Sequence, residues 1–130
     1  MTSILLVDDA PEIRDVITVV LNDEGFDVTA CDRADEALNL LAPSLPDLLI
    51  LDGRLPGMSG WECLGLLRAS DRTARLPVLI LSAAAEELHR YTQNPADDCT
   101  SYLTKPFDIE ALLATIQDLL KTCDQHPVTA

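Results

Sequence analysis

A chain of 130 residues that is 48% hydrophobic is long enough for one well-filled core and too apolar to stay disordered. Nine basic against 22 acidic residues leave a formal net charge of -13, a surface that repels phosphate backbones and argues against direct nucleic-acid binding. No apolar run approaches the ~20 residues of a membrane span, and the start MTSILLVDD lacks a secretory leader, so a cytoplasmic protein without membrane contact is expected.

Short apolar runs alternate with amphipathic segments along the whole chain. The run 3–7 (SILLV) predicts a buried strand, and Pro11 suits the first turn of a helix that carries Ile13, Val16, Ile17, Val20 and Leu21 at helical spacing as far as Gly25. The stretch 27–31 (DVTAC) alternates and predicts an outer strand, followed by a short helix through Ala34, Ala37, Leu38 and Leu41 that Pro43 stops. Residues 48–51 (LLIL) predict a third strand, and Trp61, Leu64 and Leu67 a helix opening after Gly60. Residues 77–81 (PVLIL) predict a fourth strand; a weakly amphipathic helix from Glu86 to about Gln93 follows, with Asn94-Pro95 against its continuation. Residues 101–103 (SYL) predict a fifth strand, and Asp108 caps a last helix with Ile109, Leu112, Leu113, Ile116, Leu119 and Leu120 on one face.

This order is β-α five times over, in one domain from 1 to 122, with residues 123–130 an unpatterned tail expected to fray. Continuous apolar strands imply burial on both faces, hence a doubly wound five-stranded parallel sheet with five helices divided between its two sides. Cys31, Cys63, Cys99 and Cys123 form no CxxC pair, so four free structural thiols are expected rather than a zinc site. Trp61 is expected to pack its helix, and His89 and His126 to be exposed polar residues.

In a parallel sheet every strand ends at the same edge. The first ends in Asp8-Asp9, the third in Asp52, the fourth in Ser82 and the fifth just before Lys105, so these side chains converge in the crevice where open α/β sheets bind ligands. Carboxylates that close repel one another unless a cation sits among them, and an all-oxygen set with room for water suits Mg²⁺, or Mn²⁺ in its place. Lys105 supplies positive charge on the opposite flank and Ser82 a hydroxyl donor, an arrangement that can receive a phosphoryl group, with Asp52 the natural nucleophile. An isolated aspartate at position 52 would be read as a turn cap before Leu55-Pro56-Gly57; the company of Asp8, Asp9, Ser82 and Lys105 reverses that reading.

With those motifs in place, LLVDD, LDGRLPGMSG, LILSA and YLTKPF, the chain from about Ser3 to Leu120 resembles a response-regulator receiver domain of two-component signalling. The resemblance implies a flavodoxin-like sheet of order 2-1-3-4-5. It also implies phosphorylation of Asp52 from a sensor histidine kinase or histidine phosphotransfer protein. Asp9 would be the main side-chain metal ligand, Asp8 a ligand directly or through water, and Asp52 and the Arg54 backbone carbonyl further ones. Ser82 matches the switch hydroxyl, Ala83 its small neighbour, Lys105 the lysine, Pro106 a proline that often follows a cis bond, and Tyr102 the aromatic switch. The module is not a conventional enzyme: it promotes its own phosphorylation and dephosphorylation and signals to a downstream partner through the surface of its fourth helix, fifth strand and fifth helix. A homodimer is compatible with this scheme.

Three departures stand out. Gly53 replaces a bulkier side chain after the acceptor and implies a more mobile loop. Arg54 is placed to shade the attacking water, and Asp98-Cys99 replaces Gly-Ala before the fifth strand. The alternatives are a Mg²⁺-dependent aspartyl-phosphate hydrolase of the haloacid-dehalogenase type, a flavodoxin-like cofactor carrier, and a degenerate receiver serving only as a binding module. The first wants a D-x-D pattern after its first strand and a cap domain, the second a crevice that does not repel a flavin phosphate, and the third unfilled key positions.

Overall fold

The computed structural model describes residues 2–83 and 99–123. Five strands, β1 (Ser3–Val7), β2 (Asp27–Cys31), β3 (Leu48–Asp52), β4 (Val78–Ser82) and β5 (Thr100–Thr104), form one parallel sheet in the order β2-β1-β3-β4-β5. The described helices are α1 (Pro11–Asp23), α2 (Ala34–Leu41), α3 (Gly60–Ala69) and α4 (Ile109–Thr122). The helix predicted from Glu86 to about Gln93 lies outside the described residues, as do His89, Asn94-Pro95, Asp98 and His126.

The central strands bury both faces because their side chains alternate between two cores. Leu5, Val7, Leu49, Leu51, Val78 and Ile80 point to one side, where α2 and α3 cover them. Ile4, Leu6, Leu48, Ile50, Leu79 and Leu81 point to the other, under α1 and α4. The outer strand β2, paired only with β1, is largely exposed as an outer strand should be, although its burial does not alternate: Val28 is half-buried and Cys31 buried, with Asp27, Thr29 and Ala30 exposed.

Local chemistry sets the helix ends. Gly25, at φ 91°, closes α1: its N–H reaches the Asn22 carbonyl at 3.0 Å and the Phe26 N–H reaches that of Leu21 at 3.0 Å, a paired closure that needs a left-handed residue. Ser59 caps α3 by accepting from the Glu62 N–H at 3.1 Å, and Asp108 caps α4 by accepting from the Ala111 N–H at 2.7 Å.

The expectation of four free thiols fails for one pair. Cys99, just before β5, is disulfide-bonded to Cys123 at the end of α4, 24 residues on. A helix that runs back antiparallel to the strand it follows returns its C-terminus to that strand's start, so the two thiols meet although no short spacing signals them. In the chain-entropy account a loop of this size is worth about 3 kcal/mol. Cys123, which the sequence assigns to the tail, is buried at 2% exposure. Cys31 and Cys63 are free and buried, and burial pushes both thiols up to about 11, which leaves them unreactive.

Candidate functional site

The sheet order reverses direction at β1, and the crevice beyond the carboxyl ends of β1 and β3 is where an open α/β sheet offers a site. Asp8 and Asp9 follow β1 there, and Asp52 is the last residue of β3, one step beyond the four-residue run that predicted the strand. One carboxylate oxygen of each of the three lies within 4.8 Å of the others, with Asp8 and Asp52 buried and Asp9 exposed.

Lys105, immediately after β5, spans the two buried carboxylates. Its Nζ is 3.0 Å from Asp52 Oδ2 and 3.2 Å from Asp8 Oδ2, and its backbone N–H donates to the Ser82 carbonyl at 2.8 Å. The Lys105-Pro106 bond is cis. Ser82 ends β4 fully buried, one residue past the Asp52–Leu81 pairing, so its hydroxyl belongs to the same edge as the acceptor candidate.

Backbone donors complete the setting. Asp52 Oδ1 accepts from the Arg54 N–H at 3.0 Å, and Asp8 Oδ1 accepts from the Ala10 N–H at 2.9 Å. The Gly53 N–H is tied to the Leu81 carbonyl at 2.8 Å, and the Gly53 carbonyl accepts from the Gly60 N–H at 3.1 Å, so the loop predicted to be mobile is fixed to β4 and to the start of α3. The Arg54 side chain is exposed.

Two participants escaped sequence reasoning. Arg14, on α1, donates to the Asp8 carbonyl at 2.9 Å and steadies the turn that carries Asp8 and Asp9. Trp61 packs on α3 as expected, but its indole also covers Gly53 and stacks on Tyr102, with ring centroids 6.2 Å apart and planes 28° from parallel. The missing side chain at position 53 was the available signal, since a gap beside a buried charge has to be filled.

Burial raises the Asp52 carboxyl above its usual range, against the Arg54 N–H and the Lys105 ammonium, which lower it. Burial also works against the charge on Lys105, but the carboxylates of Asp52 and Asp8 outweigh it and raise the ammonium above its normal value. Three carboxylates facing one ammonium leave an excess of negative charge and only oxygen donors, so the residues present fit a hard divalent cation.

The Asp52 carboxyl ionises near 3.8 in the unfolded chain and at higher pH in the folded one. At pH below 3.8 it is protonated in both states and contributes nothing; as pH rises through 3.8 towards the folded value its ionisation progressively costs stability. Without divalent cation, Asp52→Asn should therefore melt at a higher temperature than the unsubstituted protein at about pH 7 and lose that advantage in acid. Thermal melts across this range decide it, and a pH-independent difference would refute it.

Across residues 4–117 the sequence matches the family described as response regulator receiver domain. The chain belongs to that family. The receiver domain is 37% identical, over its full length, to the DNA-binding dual master transcriptional regulator RpaA of Synechocystis, of which it covers 54%. It is 38% identical over 93% of its length to the phosphate regulon transcriptional regulatory protein PhoB of Rhizobium meliloti, covering 53% of that protein. The domain thus spans about half the length of these curated relatives. Among solved structures it is similar to the receiver domain of the Francisella response regulator 1452 (30% identity, TM-score 0.80, 93% of this chain and 98% of that one). It is also similar to the chemotaxis response regulator CheY4 of Vibrio cholerae (29% identity, TM-score 0.80, 92% and 98%). Receiver domains are the phosphoacceptor modules of two-component systems and bind Mg²⁺ at an acidic pocket, which the Asp8, Asp9 and Asp52 cluster provides here. No described helix is long and apolar enough to cross a membrane.

Proposed function

We propose that Asp52 is the phosphoacceptor. A partner phosphohistidine gives up its phosphoryl group in line, the P–N bond breaking as a P–O bond forms to an Asp52 carboxylate oxygen and the electron pair returning to the imidazole. The single observation that carries this reading is the Lys105 ammonium held 3.0 Å from Asp52 and 3.2 Å from Asp8, which places fixed positive charge beside the group that would become the acyl phosphate. Asp8 and Asp9, with the Arg54 backbone carbonyl, would hold Mg²⁺ or Mn²⁺, which when bound offsets negative charge on the phosphoryl oxygens. Asp9, exposed and outside the Lys105 ion pairs, is the carboxylate most available to a hydrated ion, and Asp8 is already engaged by Lys105.

The donor would be a sensor histidine kinase or a histidine phosphotransfer protein. A groove of about 490 Å³ beside Lys105, lined by Ile13, Val16 and Ile17 of α1 and by Pro106, Phe107 and Ile109, supports docking of its apolar face there. Val16, in the wall of that groove, is 54% exposed and so leaves apolar surface open to a partner. The acyl phosphate would draw in Ser82 and Lys105 and bias the surface of β5 and α4 towards a downstream partner. Hydrolysis, shaded by Arg54, resets the domain.

The experiment is incubation with Mg²⁺ and acetyl phosphate, followed by intact mass spectrometry. One phosphoryl adduct is expected, absent from Asp52→Asn. Rapid multiple turnover of unrelated phosphomonoesters would instead support the hydrolase, and no adduct, with no response to beryllofluoride, the binding module.

A further inference from the structure

Gly53 does not need to be glycine for its backbone angles, since only Gly25 and Gly57 have positive φ. It needs to be glycine for space. A Cβ placed on it would lie 2.9 Å from Trp61 Nε1 and 3.2 Å from Trp61 Cε2. The indole therefore lies where a side chain at position 53 would begin, directly over the peptide that follows Asp52.

The same indole reaches a second element. It stacks on Tyr102 of β5, and both rings pack against the core that lies under α2 and α3. Tyr102 stands two residues before Thr104, which pairs with Ser82, and three before Lys105. One rigid ring thus touches the acceptor loop on one side and the strand that delivers Lys105 on the other. It is anchored at the first turn of α3, where the Ser59 cap and the Gly60–Gly53 hydrogen bond fix its backbone.

We propose that Trp61 is a positioning residue of the acceptor site: its indole supplies the bulk that Gly53 lacks, holds the Asp52–Gly53 segment in place, and couples that segment to Tyr102. The inference rests on Asp52 being the acceptor and extends that reading to how the site is held and read out. Loading the acceptor shifts the loop against the indole, and the indole transmits the shift to Tyr102. Loss of either ring lets the loop relax, so the acceptor site is less well formed before a ligand arrives.

The test uses Mg²⁺ with beryllofluoride as the phosphoryl mimic, observed by ¹⁹F NMR for occupancy and by tryptophan emission. Trp61 is the only tryptophan of the chain, so the emission reports this ring alone. Saturation should change the emission of the unsubstituted protein but not that of Asp52→Asn, and the change should shrink in Tyr102→Leu. Gly53→Ala should shift the emission before any ligand is added, because the new methyl displaces the indole.

A double-substitution cycle gives the decisive number. Trp61→Leu and Tyr102→Leu should each weaken beryllofluoride binding about two- to tenfold, and the double variant should be no weaker than the worse single one, as for an aromatic pair acting as a unit. Core repair alone would alter the melting temperature without this non-additive loss of affinity. Should Trp61→Leu not fold, the Tyr102→Leu and Gly53→Ala emission measurements carry the decision. Bound fluoride with unchanged emission, or additive affinity losses, overturns the role of Trp61 and leaves Asp52 as acceptor. No bound fluoride in the unsubstituted protein overturns both.

Discussion

Replacing Lys105 with methionine should lower the metal-free stability of the domain by about 2–3 kcal/mol, and Mg²⁺ should restore more stability to this variant than it adds to the unsubstituted protein. Methionine keeps most of the apolar stem and removes the ammonium that Asp8 and Asp52 share. Breaking a wholly buried ion pair costs about 3–5 kcal/mol, because the remaining charge stays desolvated and unpaired. The loss is smaller here because the Lys105 side chain is 17% exposed, so water screens part of the interaction. Asp8, with no exposed surface, and Asp52, at 6%, are left facing each other, and a divalent ion can relieve them where the ammonium no longer does. Denaturant melts with chelator and with saturating Mg²⁺ measure both terms. Equal Mg²⁺ increments in the two proteins would mean that ammonium and ion act at separate places.

Gly60→Ala should be the most damaging glycine substitution, costing about 2–3 kcal/mol and reducing adduct formation at Asp52 in whatever fraction folds. A Cβ on Gly60 would sit 2.0 Å from the Asp52 carbonyl oxygen, 2.8 Å from its carbonyl carbon and 3.0 Å from Gly53 Cα. All three are backbone atoms, so no side chain can rotate aside; either α3 lifts from the acceptor loop or the loop moves. Gly65, on the exposed side of the same helix, is the control. Nothing lies within 4 Å of a Cβ there, and Gly65→Ala should stabilise by about 0.5–1 kcal/mol through helix propensity alone. Parallel denaturant melts and acetyl phosphate labelling of the two variants test the contrast, and comparable stability in both would show that α3 approaches the acceptor less closely.

Much of the fold was legible because it is written in local pattern. Leu48 to Leu51 read as a strand buried on both faces, Gly25 as a helix end and Asp108 as a cap; the structure puts a strand, a left-handed closure and a capping hydrogen bond at those places. The acidic edge was legible for the same reason: once the strands are parallel, Asp8, Asp9, Asp52, Ser82 and Lys105 must end together. Their exact division of labour was not. Which carboxylates Lys105 would pair with depends on side-chain reach across β1, β3 and β5, and the sequence gives no distances.

The errors and omissions have one origin. Cys99 and Cys123 were taken for separate thiols because 24 positions of sequence conceal that α4 runs back alongside β5. Gly53 was taken for a loosened loop because the residue that fills its space stands eight positions later on another element. Periodicity, charge and turn chemistry act between near neighbours, so the amino-acid order alone settled the strands, the four described helices and the edge at which the carboxylates gather. Contacts between distant segments arise only when the layers close on the two cores. Tertiary packing therefore decided the Lys105 bridge, the Trp61 cover over Gly53 and the cysteine pair.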